Sequence, residues 1–272
     1  MFPRLKTAAI AGFALIANAA LLSQANAQAG IFEVFHPDVE KGQVALEVLN
    51  GFDVDNVPIG DERSVHEFAV GYSFTDFWKL TVAFEVPNPR NEAFELEALE
   101  LENLLLLPFF GEEKHHDHEE QGSSDDDDHG HGPFVLGLFT GLELPREGGI
   151  SEGAVEIGPV WEVDLEFAEW VGNLFAEIPL NDEDAGLAYA NQVVFPVTDA
   201  VGLGFETYGE FEGLFGDGDE QQHVIGPAIY YEYETPNGSK IEPRLAALFG
   251  LNDNSPDAVI SFNVEFKFGG DK

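Results

Sequence analysis

Apolar and polar side chains alternate with a period of two along most of the chain, and this pattern limits the possible folds more than any other feature. Near the end of the chain, Phe262, Val264, Phe266 and Phe268 alternate with polar residues. Successive side chains of a β-strand point to opposite faces, so this pattern predicts strands with one apolar and one polar face. After residue 27, no apolar run approaches the roughly twenty residues of a membrane helix.

Turn residues divide the alternating sequence into about twelve predicted strands. The run 92–107 changes phase at Ala98-Leu99, which predicts a β-bulge there. The predicted strands lie near 43–51, 65–74, 78–86, 92–107, 134–144, 152–167, 173–180, 186–195, 202–213, 222–234, 240–250 and 257–268.

The acidic residues of these strands share one face, which carries only four Lys or Arg, and the other face is uncharged. A soluble barrel would turn the acids to water, whereas a membrane barrel turns them inward. The width of a twelve-stranded lumen and the aromatic residues at Phe77-Trp78 and Trp170, beside short turns, favour the second arrangement. We therefore predict an all-β fold, a transmembrane antiparallel up-and-down β-barrel. Its predicted lumen carboxylates include Glu95, Glu97, Glu100, Glu102, Glu162, Asp164, Glu166, Glu206, Glu210, Glu212, Glu232 and Glu234.

The first residues have the three parts of a secretory signal. Arg4 and Lys6 precede an apolar segment, and Ala25-Asn26-Ala27 supplies a small-x-small cleavage pattern. An N-terminal membrane anchor is the alternative. The predicted organisation is a signal peptide at 1–27, a periplasmic lead-in or small plug element at 28–42, and a barrel at 43–268. The chain has no Cys, so disulfides and lipid attachment through cysteine are excluded.

Net charge limits the partners. The chain has 12 Lys+Arg against 51 Asp+Glu, which argues against nucleic acid, since phosphate binding requires cationic groups. An exported barrel would instead meet outer-membrane lipid and the barrel-assembly machinery. Acidic side chains on its inner face would attract divalent cations.

The longest loop, 108–133, contains five of the eight histidines and a run of Asp residues. Neutral imidazoles near carboxylates suit Zn, Ni or Cu(II), so the loop is predicted to bind such ions in a labile manner. The alternative is a solvated polar loop, and no cofactor is expected to be required. The predicted metal-binding residues are His115, His116, Asp117, His118, His129 and His131.

Strand parity predicts the side on which each connection lies. Counting back from a last strand that ends in the periplasm places the short turns 75–77, 168–171, 197–201 and 235–239 on the periplasmic side. The same parity places loop 108–133 there, although outer loops are usually the longer ones.

Four segments, 36–42, 71–76, 100–103 and 250–257, resemble an outer-membrane "transporter" barrel family grouped with proteins of meta-pathway phenol degradation. The resemblance implies an exported barrel with a transport role. The sequence departs from that family in the His/Asp-rich insertion after Phe110.

These features predict a channel or transporter for small cationic or metal-associated solutes. The alternatives are a non-transporting structural or metal-buffering membrane protein and a soluble periplasmic metal binder. An enzyme is not expected, because Ser64 and His66 form a nucleophile–base pair for which the sequence shows no third group.

Overall fold

The computed structural model describes residues 32–54, 62–89, 96–107, 134–146, 149–181, 184–211 and 221–270. The alternating sequence forms twelve long antiparallel strands and one two-residue strand. One short 3-10 helix, Gly149–Glu152, precedes the sixth strand. The strands are β1 Val44–Asp53, β2 Glu62–Thr75, β3 Trp78–Pro89, β4 Ala98–Leu106, β5 Phe134–Pro145, β6 Ala154–Leu165, β7 Ala168–Pro179, β8 Gly186–Thr198, β9 Val201–Phe211, β10 Gln222–Tyr231, β11 Tyr233–Glu234, β12 Lys240–Gly250 and β13 Ala258–Phe268.

The long strands pair with their neighbours in sequence and then close on themselves. β10 pairs with β12, for example Ala228 opposite Ala246, and β13 pairs with β1, for example Val48 opposite Val264. The result is a closed barrel of twelve long strands, as predicted, with β11 as a short extension beside β12. Closure matters because a strand at an open edge would leave backbone donors and acceptors unpaired.

The outer surface is apolar. On β2, Phe68, Val70 and Tyr72 are exposed, while the alternating Glu67 and Ala69 are buried. This is the arrangement of a transmembrane barrel, in which lipid covers the apolar side chains. Within the part of the chain that the structure describes, no helix has the length and apolarity that a bilayer crossing needs.

Aromatic residues surround the end of the barrel at which both β1 begins and β13 ends. Phe74 and Trp78 stack with ring centroids 4.7 Å apart, and Trp170 packs edge-on against Trp161 at 5.8 Å. Phe167 is 61% exposed beside them. Such a belt is typical of the boundary between lipid and water.

Three connections at this aromatic end are short turns at 76–77, 166–167 and 199–200, and the connection between β10 and β12, which contains β11, lies there as well. β4 ends and β5 begins at the same end, so loop 108–133 joins the barrel there. The membrane side that this end faces stays a prediction. The predicted turn 168–171 is wrong: Glu169 pairs with Asp164, and the chain reverses at Glu166-Phe167, where no Gly, Pro or Asn marks a turn.

The N-terminal segment, residues 32–43, lies inside the barrel rather than beyond its rim. We call this segment the plug. Val34 packs against inward-facing Val171 and Leu248, and Val39 packs in a second cluster with Phe139 and Val160. These apolar contacts explain its position, since burial in the lumen removes the plug's apolar side chains from water.

The lipid-facing role of the outer surface can be tested at Val70, which is 50% exposed near mid-strand. We expect Val70→Arg to destabilise the barrel by about 2–4 kcal/mol, because a cation at mid-bilayer loses its hydration. Unfolding by urea in lipid vesicles, followed by tryptophan fluorescence, measures the loss. Val54→Arg, just beyond β1, is the control and should cost under about 1 kcal/mol. Equal costs at both positions would contradict the membrane placement.

Candidate functional site

Carboxylates line one wall of the lumen, from β2 to β7. They lie directly opposite one another across three strand pairs: Glu67 and Glu85, Glu100 and Glu143, and Glu156 and Glu177. Like charges at opposed positions destabilise a sheet unless something neutralises them. We call these six residues and Glu102, which lies on β4 beside Glu100, the acidic arc.

The basic side chains of the lumen have acidic partners outside the acidic arc. Lys79 Nζ is 3.0 Å from Glu47 Oε1, and Lys267 Nζ is 2.9 Å from Glu242 Oε2. Lys267 also contacts Glu265 at 3.3 Å. None of these ion pairs involves a carboxylate of the acidic arc. These lysines therefore neutralise acids outside the arc, although Lys79 lies on β3 in the same wall.

The plug is held by hydrogen bonds to inward-facing side chains at mid-height of the barrel. The Phe35 backbone N–H donates to Asn173 Oδ1 at 2.8 Å, and Asn173 Nδ2 donates to the Phe35 carbonyl at 2.9 Å. Asn263 Nδ2 donates to the Phe32 carbonyl at 3.1 Å. The side chain of Asn173 is fully buried, so losing either bond would leave a buried polar group without a partner.

A second anchor joins the plug to Lys267. Its Nζ donates to Asp38 Oδ2 at 3.0 Å. The charge of Lys267 holds the pKa of the Asp38 carboxyl well below its usual range. The plug is thus tied to the barrel by an ion pair near its C-terminal end and by amide hydrogen bonds further in.

A buried polar network surrounds Arg244 on β12. Its guanidinium is 3.2 Å from Glu206 Oε2 and donates to Tyr208 Oη at 2.8 Å. It also donates to the Phe32 carbonyl and to Ser261 Oγ, both at 2.7 Å. A buried charge is tolerated when partners satisfy it; here Nη1 and Nη2 have partners, one of them the plug backbone, whereas the buried Nε has none.

Two groups of acidic and imidazole side chains combine plug and wall residues. His36 meets Glu162 and Glu169, and their potential ligand atoms lie within 4.8 Å of one another. His36 Nε2 is also 2.8 Å from Gln192 Nε2. Burial lowers the pKa of His36, but the carboxylates of Glu162, whose Oε2 lies 3.9 Å from Nδ1, and Glu169 outweigh it and raise that pKa above its ordinary value. These carboxylates therefore make the imidazole easier to protonate.

The other group is Glu33 of the plug with Glu67 and Glu102, again with carboxylate oxygens within 4.8 Å. Burial raises the pKa of Glu33 well above its usual value, and the charges of Glu47, Glu67 and Glu102 raise it further. A proton or a cation would relieve this repulsion. Carboxylate oxygens are the ligands that hard divalent cations prefer.

The plug borders two cavities. The larger has a volume of about 300 Å³ and lies between His36, Gln192, Tyr230 and Glu242, toward the aromatic end. The smaller, about 50 Å³, lies between Glu33 and the wall at Lys79 and Glu102. The acidic side chains predicted for the lumen therefore line only part of the interior. Apolar clusters and the plug occupy part of the lumen, because β5 to β10 turn Gly, Ala and Val inward as well as Glu.

The structure places the predicted carboxylates in different environments. Glu100, Glu102, Glu162 and Glu206 lie in the lumen, and Glu102 and Glu206 are buried. The other described carboxylates are exposed near the barrel ends; these are Glu97, Asp164, Glu166, Glu210, Glu232 and Glu234. Outside the described residues lie the signal segment 1–27, the lumen candidates Glu95 and Glu212, and the predicted metal ligands His115, His116, Asp117, His118, His129 and His131.

Sequence reasoning missed the polar residues that hold the plug. Asn173 and Gln192 face inward but carry no charge, so a search for charged residues does not find them. The sequence could have indicated them, because they lie on the inward-facing side of β7 and β8, among apolar neighbours such as Val171 and Phe175. A polar amide on a mostly apolar inner face predicts a buried partner.

No family model and no curated protein matches the chain. Among solved structures, an outer-membrane channel from Pseudomonas putida F1 is 14% identical over 86% of this chain and 99% of that chain, with a TM-score of 0.53. The NanC porin is 9% identical over 82% of this chain and 99% of that chain, with a TM-score of 0.51. These similarities show that the fold is that of outer-membrane barrel porins.

The Arg244 network can be tested by breaking one or both sides of its ion pair. We expect Arg244→Ala to destabilise the protein by about 3–5 kcal/mol, because Glu206 would be left buried without its cation. The double variant Arg244→Met with Glu206→Gln removes both charges and should lose only roughly half as much. Urea unfolding of each variant in detergent micelles measures the difference. A double variant as unstable as Arg244→Ala would contradict this account.

Proposed function

We propose that this protein is a channel of the bacterial outer membrane for small cationic or metal-associated solutes, with the plug occupying its lumen in the closed state. The acidic arc is the observation that carries the proposal. Opposed carboxylates on six adjacent strands, β2 to β7, face an enclosed space, and the neighbouring lysines are paired with other acids. A row of Asp and Glu along a pore attracts cations and repels anions.

The plug contacts support a closed state that can open. The plug is attached to the wall by hydrogen bonds at Asn173, Asn263 and Arg244, by an ion pair at Lys267 and by apolar packing of Val34 and Val39. These are reversible interactions, each worth about 1 kcal/mol or somewhat more where a charge takes part. Movement of the plug would join the cavities beside it to the face of the acidic arc.

The cation groups formed with the plug suggest how a solute would be held on its way. His36 with Glu162 and Glu169, and Glu33 with Glu67 and Glu102, each combine donor atoms from the plug and the wall. A cation that bound there would be released when the plug withdrew one ligand. Conduction requires several weak binding sites, so that an ion can enter and also leave.

The histidine-rich loop, the export signal and the family resemblance extend the proposal and stay predictions. Loop 108–133 joins the barrel at the aromatic end, so Zn, Ni or Cu(II) collected by its histidines would be delivered beside one mouth of the lumen. A non-transporting structural or metal-buffering protein is the second candidate. Such a protein would bind metal ions but would not conduct ions across the membrane.

Charge selectivity tests the role of the acidic arc. In planar bilayers under a KCl gradient, we expect the triple variant Glu67→Gln, Glu100→Gln, Glu143→Gln to reduce the potassium-to-chloride permeability ratio on the order of ten-fold, because the local excess of cations is lost.

The matched control neutralises the same number of exposed carboxylates outside the strands, with Glu152→Gln, Asp184→Asn and Asp253→Asn. It should leave the permeability ratio unchanged. Equal ratios in all three proteins would remove the arc from the mechanism, and the absence of single-channel events in the wild type would favour the second candidate.

Plug removal tests the closed state. Deletion of residues 29–41 should raise the mean conductance, and Asn173→Ala should increase the frequency of opening by on the order of ten-fold, since two bonds to the plug backbone are lost.

Asn191→Ala is the control for the second variant, because Asn191 lies on the same sheet but faces outward and bonds to Trp170. The difference in gel migration between unheated and heated samples verifies that each barrel is folded. A folded deletion variant with wild-type conductance would show that the plug does not close the lumen.

A further inference from the structure

Three side chains form a hydrogen-bonded relay on the outer surface, away from the lumen. Ser64 and His66 lie on β2, and Asn50 lies opposite His66 on β1. Ser64 Oγ is 3.1 Å from His66 Nε2, and His66 Nδ1 is 2.8 Å from Asn50 Oδ1. A hydroxyl, an imidazole and an orienting oxygen in this order form the arrangement that activates a serine nucleophile. The third group, which could not be identified from the sequence alone, is therefore Asn50 on the neighbouring strand.

The protonation state of the imidazole follows from the amide of Asn50. Asn50 Nδ2 donates to the Phe262 carbonyl at 2.7 Å, so the oxygen of the amide is the atom that faces His66. An amide oxygen only accepts hydrogen bonds, and the proton of the neutral imidazole therefore lies on Nδ1. Nε2 is left with its lone pair toward Ser64. This is the tautomer in which His66 can accept the serine proton.

The backbone around Ser64 departs from a regular strand. The register between β2 and β3 shifts between Glu62 and Ser64. Bulges of this kind re-aim a side chain and are frequent beside active sites. Asn88, opposite Ser64 on β3, donates from Nδ2 to Ser64 Oγ at 3.3 Å. This amide N–H holds the Ser64 oxygen in place beside His66.

The surroundings identify the substrate class. Asn50 and His66 alternate with inward-facing, buried Leu49 and Val65, so they belong to the lipid-facing side of the barrel. Exposed Phe52 and Phe68 flank the relay on the same face, and the Phe52 ring lies 5.6 Å from the imidazole. Polar groups on a lipid-facing surface are costly and mark a function. The relay lies toward the end opposite the aromatic belt, at the level where a strand leaves the apolar region.

We propose that Ser64, His66 and Asn50 form a lipid-facing esterase site that hydrolyses an acyl ester of a membrane lipid. Ser64 and His66 are the catalytic residues, and Asn50 is a positioning residue. The acyl chain would lie along the exposed aromatic side chains of β1 and β2, with the ester carbonyl at Ser64. This activity is separate from conduction, because the relay faces away from the lumen.

The reaction balances with water as the second substrate. Ser64 Oγ attacks the ester carbonyl carbon while His66 Nε2 takes the hydroxyl proton. The bond between carbonyl carbon and alcohol oxygen then breaks, and the leaving alcohol receives that proton. Water attacks the acyl-serine with the same base, the fatty acid leaves, and Ser64 regains its proton. Ser64 is only 4% exposed, so a neighbouring side chain must move to admit the ester, and slow turnover is expected.

The test uses the full-length protein purified in detergent. Phosphatidylethanolamine in mixed micelles is the substrate, release of free fatty acid is the rate measurement, and a long-chain alkyl fluorophosphonate is the covalent probe. We expect the probe to attach to Ser64, as located by peptide mass mapping. Ser64→Ala should abolish both labelling at that position and fatty acid release, and His66→Gln should lower the rate by about 100-fold or more.

The role of Asn50 needs a measurement that would not change if the substitution only disturbed the local structure, and the pH profile of the rate is such a measurement. Asn50→Ala should lower the rate and shift its pH profile, and Asn50→Asp should restore the rate with the acidic limb displaced to higher pH, since a carboxylate stabilises the imidazolium and raises the pKa of the base. Ser151→Ala is the control serine variant at the same end of the barrel. Heat-modifiable migration verifies folding.

Fatty acid release in Ser64→Ala equal to that of the wild type, or no probe on Ser64 of the folded wild type, would overturn the proposal. Single-channel recordings of Ser64→Ala separate it from the channel function, which should be unchanged.

Discussion

Backbone pairing in lipid is the constraint on which the rest of the structure depends. No water reaches the middle of a bilayer, so each N–H and C=O there must find a partner within the protein, and a sheet must close on itself. The pairings of β13 with β1 and of β10 with β12 achieve this. Once the sheet is closed, every strand has one face toward lipid and one toward an enclosed space. The many acidic side chains of the strands can then face the enclosed space, whereas facing lipid would cost them their hydration.

Filling the enclosed space is the second problem, and two kinds of inward-facing side chain solve it differently. Apolar side chains on β4 to β12 pack against Val34, Val39 and the phenyl rings of the plug. The opposed carboxylates on β2 to β7 cannot pack against anything apolar. The apolar clusters are stabilised by burial, and the carboxylates require ions and water. A lumen of this composition is both closed and polar.

Much of this could be predicted from local pattern, because a period of two is a property of neighbouring residues. All twelve long strands and the inward side of Glu100, Glu102 and Glu206 follow from it. Contacts between distant residues do not. Phe32 meets Arg244 across 212 positions, and His66 finds Asn50 only because β1 and β2 take one register among several. The turn at 166–167 was missed because its residues, Glu and Phe, also fit a strand.

The position of the plug at the start of the barrel imposes an order on assembly. The segment precedes β1, and β1 is also the strand that meets β13 at the closing seam. The Phe32 carbonyl accepts hydrogen bonds from Arg244 and Asn263, side chains that are synthesised more than 200 positions later. The plug must therefore wait for the last strands before it has partners. Contacts of such large sequence separation form slowly. In a nascent barrel, β1 and β13 would therefore stay unpaired until this segment has entered the lumen.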